Sequence, residues 1–334
     1  MAKIFGESSS ATLQDFQKAA ETVSSYTFSP ATRSIFSPEN LDYRIKLTVP
    51  MDTPLRNRFA RTPGLGQATA WERLVSKLHS RSGHAGNGTN TSIAFADGGA
   101  PNETSQSFVV TSAAYKLLGR KLEVGGLAVA ASQGRPGVAQ NKFEQRLDHK
   151  LVEVMLGEEE MIISGDSASN SLEFDGLAKQ ITTYSGTASL LSASGVNVYN
   201  RSIFNEGGNA TLLVANPRQV GALADELQGT GSIQRIMVDN QGNGIGGVRL
   251  AKIVNSITGT MIDVAASRYV GPLAFLLTER DSSGMPMIEM EDLIPMSRVD
   301  VPSSNFSVQG FVVEATVLKV IAEPWNYKIT GLAV

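Results

Sequence analysis

The sequence has no cysteine and only three histidines in 334 residues. Without cysteine there is no disulfide, thiol nucleophile, iron–sulfur cluster or cysteine-ligated zinc site. His79 and His84 lie in a Ser- and Gly-rich stretch at a spacing that suits no metal site, and His149 lies on the polar side of a predicted helix. We therefore predict no metal site and expect all three histidines at the surface.

A strong charge of either sign is also missing, because 29 Lys and Arg face 32 Asp and Glu and the net charge is −3. Sequence-independent binding of nucleic acid depends on many Lys and Arg contacts with phosphates, so any DNA partner is expected to be contacted weakly. No apolar run reaches the ~18 residues of a membrane helix, and the first residues lack the apolar core of a secretory signal. No membrane partner is predicted.

Residues 1–66 are predicted to form an arm rather than part of a core. A capping-box spacing before apolar residues at helical intervals predicts a short amphipathic helix near residues 12–23. Five prolines then favour extended geometry in a stretch that also carries five arginines. Such a segment buries little by itself. It either crosses its own domain or lies on a neighbouring subunit.

Residues 67–118 are predicted to form a long hairpin. Apolar flanks that include Trp71 and Phe108 surround a polar centre at 80–107. A structureless loop of that length is unusual inside a compact domain. We therefore predict that the centre is the tip of a hairpin that projects from the body of the protein.

Residues 138–163 are predicted to form a long helix. Its apolar stripe consists of residues at intervals of four, namely Phe143, Leu147, Leu151 and Met155. Three consecutive glutamates at 158–160 point in different directions on a helix, so we interpret them as a charged surface and not as a carboxylate pair.

Beyond residue 170, short strands surround one further helix. The predicted strands cover 211–215, 233–238, 248–254, 261–264, 273–278 and 311–322. Asn216 and Pro217 are typical of a helix start. With 42% hydrophobic residues the chain can bury a sizeable core. The predicted class is α+β.

Residues 242–247 satisfy the dinucleotide-binding pattern GxGxxG, and Asp263 follows about twenty residues later. That site requires a helix after the glycines, whereas residues 248–254 alternate like a strand. We interpret the glycines as a hairpin turn and predict no cofactor. There is no GxSxG elbow, GxxxxGK(S/T) loop or HExxH pair, so no catalytic residue is predicted and the chain is not expected to be an enzyme.

Three stretches together resemble the major capsid proteins of tailed double-stranded DNA phages, which share the Hong Kong 97-like fold. Residues 142–177 are similar to that family's spine helix, which ends in an acidic, apolar, Gly-Asp sequence before a Gly-Leu step. Residues 213–217 resemble its strand, Asn-Pro and helix element, and residues 316–324 resemble its terminal peripheral strand. The resemblance covers roughly residues 67–334 in order.

The resemblance implies a definite architecture for the chain. The N-terminal arm would be 1–66 and the extended E-loop hairpin 67–118. The peripheral domain would combine 119–170 and 296–334, with a spine helix at about 138–163, and the axial domain would be 171–295.

The implied function is structural: subunits would form pentamers and hexamers and close into an icosahedral shell around the genome. The expected location is the virion, and the host cytoplasm during assembly. Residues 80–107 contain no lysine, so the covalent cross-links of the name-giving member are not expected. Expected partners are other copies, a separate scaffold protein, a decoration protein, a portal protein and weakly contacted DNA. The predicted subunit contacts are Arg56, Arg58, Arg61, Trp71, Phe95, Arg298 and Asp300.

Three alternatives remain open at this point. An encapsulin-like compartment would use the same fold to hold cargo enzymes instead of DNA. A nucleotide-dependent enzyme would use the glycines at 242–247 and bind a cofactor as a monomer or dimer. A phage tail-tube or adhesion protein would form rings or fibres.

Overall fold

The computed structural model describes residues 52–74, 97–99, 108–127, 129, 142–229, 237–238, 244–245, 250–302 and 306–334. Several predicted features lie outside these residues. They are the helix near 12–23, Phe95 with most of the polar hairpin centre, the first four residues of the long helix, and residues 233–236 and 248–249 of two predicted strands.

The α-helices in the described part are α1 (Lys142–Ser164), α2 (Leu177–Gln180), α3 (Ala193–Asn205) and α4 (Pro217–Gly229). The strands there are β1 (Ala60–Pro63), β2 (Ala68–Leu74), β3 (Phe108–Ala114), β4 (Lys116–Gly125), β5 (Ser185–Thr187), β6 (Leu212–Ala215), β7 (Met237–Val238), β8 (Gly244–Ile245), β9 (Lys252–Val254), β10 (Met261–Ala266), β11 (Ala274–Leu277), β12 (Ile288–Val301), β13 (Ser307–Val320) and β14 (Tyr327–Thr330). A 3₁₀ turn covers Glu323–Trp325.

A four-stranded sheet has the order β1-β12-β13-β4. Strand β1 runs parallel to β12, whereas the other two pairings are antiparallel. The register of β12 against β13 shifts twice between Asp292 and Ser297. Pro295 lies within this stretch, and proline cannot donate a ladder hydrogen bond, so a bulged strand accommodates it where a regular one would not.

The long helix α1 packs on this sheet, in agreement with the predicted helix. Its 23 residues span about 34 Å at 1.5 Å per residue. Val154 and Ile162 are buried in one cluster with Val312 and Leu318 of β13. The four-residue spacing of apolar side chains therefore produces the stripe that faces the sheet.

Helix α1 ends where two glycines allow backbone segments to meet. A Cβ at Gly165 would lie 2.3 Å from the carbonyl oxygen of Phe174, and a Cβ at Gly176 would lie 2.4 Å from that of Met161. Their backbones are also joined, because Gly176 N–H donates to Gly165 C=O at 2.9 Å. Larger residues would separate the helix end from the following chain.

A six-stranded sheet has the order β5-β14-β11-β6-β10-β9. Every residue of β6 and β11 is buried, which agrees with the apolar runs predicted there as strands. Helices α3 and α4 contribute Val196, Ile203 and Leu223 to a core cluster with Leu213 and Leu276 of the sheet. The strand after the 3₁₀ turn, β14, pairs with β11 and β5. It therefore belongs to this sheet and not to the four-stranded one.

Two antiparallel pairs complete the described part. Strands β2 and β3 pair from Ala68 with Ala114 to Leu74 with Phe108, as expected for the flanks of the predicted hairpin. Strand β8 pairs with β7. Two residues of the GxGxxG stretch therefore lie in a strand, as in the hairpin interpretation, and not at the start of a helix.

Candidate assembly interfaces

Residues 52–63, the last described part of the predicted arm, are here termed the arm anchor. Leu55 and Phe59 are 0% and 5% exposed and belong to the main core cluster. The backbone N–H groups of Leu55 and Arg56 donate to the two carboxylate oxygens of Glu159 at 3.2 Å and 2.8 Å. Apolar packing and charge-assisted hydrogen bonds therefore fix the arm anchor to α1.

A buried ion cluster joins the arm anchor to three other elements. It consists of Arg56, Arg61, Glu158 of α1, Asp292 of β12 and Glu314 of β13. Both arginines donate to Glu158. Arg61 also donates to Asp292 at 2.9 Å and to Glu314 at 2.7 Å. The side chains of Glu158 and Glu314 are both 0% exposed.

The predicted charged surface at 158–160 is wrong for two of its three glutamates. Glu160 is exposed, but Glu158 and Glu159 are fully buried. Their partners lie 97 to 104 positions earlier in the chain, so helical spacing does not reveal them. Burial raises the pKa of Glu159, and the N–H groups of the arm anchor only partly offset this effect.

Arg58 connects the arm anchor to the six-stranded sheet. It donates to Asp263 of β10 at 2.6 Å and to Glu279, just after β11, at 2.5 Å. Hydrogen bonds with Glu279 and Asp263 raise the pKa of Arg58, against the opposing effect of its burial. Lys252 of β9 also pairs with Asp263, at 3.2 Å. The arm anchor is thus held by both sheets.

The base of the β2–β3 hairpin is held by one carboxylate, that of Glu291 in β12. It accepts hydrogen bonds from Thr69 at 2.7 Å and from Tyr115 at 2.5 Å, and Lys319 lies 3.2 Å away. Burial alone would raise the pKa of Glu291, but these three donors lower it below its ordinary value. Lys319 also lies 5.9 Å from the ring centroid of Trp71, a cation–π contact.

The opposite face of the hairpin is exposed and carries apolar side chains beside one carboxylate, that of Glu72. Cross-strand partners point to the same side of a sheet, so Phe108 and Val110 share a face with Glu72, the direct partner of Val110, and not with Trp71. Phe108 is 58% exposed and Val110 is 63% exposed. We term this surface the hairpin outer face; adjacent exposed apolar side chains of this kind are typical of a protein interaction site.

The far ends of β12, β13 and β4 form a second exposed region, here termed the sheet tip. Arg298 pairs with Asp300 at 2.6 Å, and their side chains are 40% and 68% exposed. The guanidinium of Arg298 lies 4.8 Å from the ring centroid of Phe143, the first apolar residue of α1. Phe306, immediately before β13, is 82% exposed.

The predicted contact residues therefore fall into three groups. Arg56, Arg58 and Arg61 bind carboxylates of their own chain in the arm anchor. Trp71 lies on the inner side of the hairpin, and Arg298 and Asp300 form a pair at the sheet tip. Sequence reasoning did not identify the carboxylates that organise these places: Glu158, Asp292, Glu314 and Glu291.

The described part of the chain contains no group of three or more His, Asp or Glu side chains arranged to hold a metal ion. In the same part, no helix is long and apolar enough to cross a membrane.

Solved capsid structures share this fold at low sequence identity. The capsid of cyanophage A-1(L) matches with a TM-score of 0.65 and 11% identity, over 89% of this chain and 97% of that one. Microbacterium phage Oxtober96 gives 0.57 and 12%, over 89% and 96%. The SrpI encapsulin of Synechococcus elongatus gives 0.57 and 10%, over 94% and 95%. The fold is that of Hong Kong 97-type capsid proteins, as the sequence resemblance implied.

The family model described as SU10 major capsid protein matches residues 15–333. The chain therefore belongs to the SU10 major capsid protein family, and it is a structural protein of a phage capsid shell. A comparison with curated protein sequences finds no match.

Proposed function

We propose that this capsid protein forms pentamers and hexamers that close into an icosahedral head around double-stranded DNA. The observation that carries the proposal is the family match over residues 15–333. In this proposal the four-stranded sheet and α1 form the peripheral domain. The six-stranded sheet forms the axial domain, and the β2–β3 hairpin is the base of the E-loop.

The hairpin outer face supplies the first proposed contact between subunits. Phe108 and Val110 expose apolar surface on a strand whose other face is bound to the body through Glu291. Covering such a surface with a second copy of the chain removes it from water, which stabilises association by roughly 25 cal/mol per Å². A shell repeats this contact at every subunit, so a modest contact suffices.

The charged residues take different parts in this proposal. Arg56 and Arg61 already bind carboxylates within the chain, so they hold the arm anchor on α1 and the four-stranded sheet and are not free for a neighbouring subunit. Arg298 and Asp300 at the sheet tip are available for direct contact, because they are exposed. Trp71 acts from the inner side of the hairpin and sets the position of the outer face.

The proposed partners follow from the same assembly. A separate scaffold protein directs shell size, a portal protein occupies one vertex, and a decoration protein stabilises a shell without covalent cross-links. DNA is contacted weakly, as a net charge of −3 favours. The protein acts in the virion after assembly in the host cytoplasm, and it has no catalytic role.

An encapsulin-like compartment is the second candidate. It is favoured by the match to the SrpI encapsulin over 94% of this chain, at a TM-score of 0.57. The two candidates share the shell and differ in its content, which is DNA in one and cargo protein in the other.

The proposal is tested by expressing the chain with and without its neighbouring phage genes and imaging the product by negative-stain electron microscopy. We expect closed polyhedral shells or capsomer rings, and double-stranded DNA in native particles. Native shells that hold a packaged enzyme and no DNA would support the compartment instead. A monomer that never assembles beside its scaffold gene product would overturn both.

A further inference from the structure

The buried ion cluster contains more acidic groups than basic ones. Within the described residues, three carboxylates (Glu158, Asp292 and Glu314) surround the two guanidinium groups of Arg56 and Arg61. If all five groups were ionised, the cluster would carry one negative charge in excess. An uncompensated charge in a buried site is strongly unfavourable, so the structure needs another positive charge there.

The unpaired oxygen of Glu314 indicates where the additional positive charge would bind. Oε1 of Glu314 accepts from Arg61 at 2.7 Å and lies 3.6 Å from Arg56. Oε2 of Glu314 is buried and has no hydrogen-bond partner among the described residues. An ionised carboxylate with one buried oxygen unpaired pays the desolvation penalty without compensation.

A proton fits this place better than a metal ion does. The two guanidinium groups already occupy every other carboxylate oxygen of the cluster, so Oε2 of Glu314 is the single oxygen left for a metal. The part of the chain that the structure describes holds no residue group suited to a metal. A proton on Glu314 removes the excess charge and needs no additional space.

The surroundings place this protonation in the neutral pH range. Burial, followed by the repulsion of Glu158, raises the pKa of Glu314 to about 7, although Arg61 and Arg56 act in the opposite direction and Asp292 adds to the increase. These are the charged groups that face Glu314 from α1, the arm anchor and β12. An acid with a raised pKa stabilises the anchored state most below its ordinary pKa of 4.5, and this stabilisation is lost as the pH rises towards 7.

We propose that Glu314 is a proton-binding site that controls how firmly the arm anchor is held. When Glu314 is protonated, the ion cluster is neutral and the arm anchor stays bound to α1. When the proton is lost, Glu158, Asp292 and Glu314 repel one another and the arm anchor opens more often.

Hydrogen exchange of the full-length protein, followed by mass spectrometry, tests the proposal. The readout is the protection of peptides that cover Leu55 and Arg56, corrected for the intrinsic pH dependence of exchange. Between about pH 5.5 and about pH 8.5 we expect protection in the wild type to fall by at least about tenfold. In Glu314→Gln, which keeps the shape and stays neutral, we expect a fall of about threefold or less, since only Glu159 still titrates with a raised pKa.

Two further variants make the result decisive. Glu160→Gln removes an exposed carboxylate from the same helix turn and should behave like the wild type. Asp292→Asn removes one of the charges that raise the pKa of Glu314, so the fall in protection should occur at lower pH. The proposal is overturned if Glu314→Gln keeps the wild-type pH dependence, if Glu160→Gln abolishes it, or if Asp292→Asn moves it to higher pH.

Discussion

Charged side chains usually lie at the surface of a protein and apolar side chains in its core. The ion cluster around the arm anchor departs from the first rule, and the hairpin outer face departs from the second. Around the arm anchor, charged groups lie inside the protein, where Glu158 of α1 and Glu314 of β13 are 0% exposed. On the hairpin, apolar groups lie outside, where Val110 is 63% exposed. The first region has its partners within one chain, whereas the second has a surface still to be covered. Stability and assembly therefore depend on different residues.

The largest effect on stability is expected for Arg61→Ala. The substitution leaves Glu158, Asp292 and Glu314 with a single guanidinium, and breaking a buried pair in this way costs about 3–5 kcal/mol. Urea denaturation of the unassembled chain would measure this loss. Arg201→Ala on the exposed surface of α3 is the matched control, with an expected change below about 0.5 kcal/mol. Equal losses in both variants would remove the distinction between buried and surface arginines.

A large effect on assembly, with little effect on stability, is expected for Val110→Asp. A charge on the hairpin outer face meets water in the free chain and an apolar partner in the shell, so the contact weakens by about 2–3 kcal/mol. Sedimentation and electron microscopy should show free subunits that remain folded. Val110→Thr, which keeps the shape of the side chain, should still assemble. Normal shells from Val110→Asp would show that this face is not an interface.

A smaller and pH-dependent loss is expected for Tyr115→Phe, which removes one donor from Glu291. The hydrogen bond contributes about 1–2 kcal/mol near neutral pH. Because the folded-state pKa of Glu291 lies below 4.5, its stabilisation is present above that value and is lost as the pH falls through the folded-state pKa. The unfolding free energies of variant and wild type should converge as the pH falls through the lowered folded-state pKa of Glu291. A constant difference at all pH values would assign the effect to packing.

The smallest effect on stability is expected for Arg298→Ala at the sheet tip. Arg298 and Asp300 are 40% and 68% exposed, and exposed ion pairs contribute about 0–1 kcal/mol. If the pair is a subunit contact, the variant should assemble at higher protein concentration than the wild type while its unfolding curve is nearly unchanged. If the variant assembles at the same protein concentration as the wild type, the pair is ordinary surface charge and not a subunit contact.

Local periodicity was sufficient to predict some of the regular elements, whereas helix α3 and the long strand β12 were not predicted. The helix over 142–164 follows from apolar residues at intervals of four, and β6 at 212–215 follows from a short apolar run before Asn-Pro. Both signals arise within a few residues, where the pattern of side chains and the backbone geometry are directly linked. The whole fold was predicted from the resemblance of three stretches to phage major capsid proteins, and not from these elements alone.

Sequence alone did not reveal the long-range polar contacts. Tyr115 and Glu291 are 176 positions apart, and no local pattern indicates that they meet. The same limit explains Glu158, whose burial depends on Arg56, 102 positions away. It also explains why the sequence predicted a single hairpin flank over residues 108–118. In the structure, β3 and β4 are separated only by Tyr115 but pair in different sheets.

The place of β14 in the six-stranded sheet affects how the protein is synthesised. Tyr327–Thr330 lies between β5 and β11, so this sheet lacks an internal strand until the ribosome has passed residue 330. Pairings between distant parts of a chain also form slowly. A chain that stops before β14 leaves the edges of β5 and β11 without their partner, and unpaired edges favour aggregation over correct assembly. Only a chain that extends through β14 can complete the six-stranded sheet.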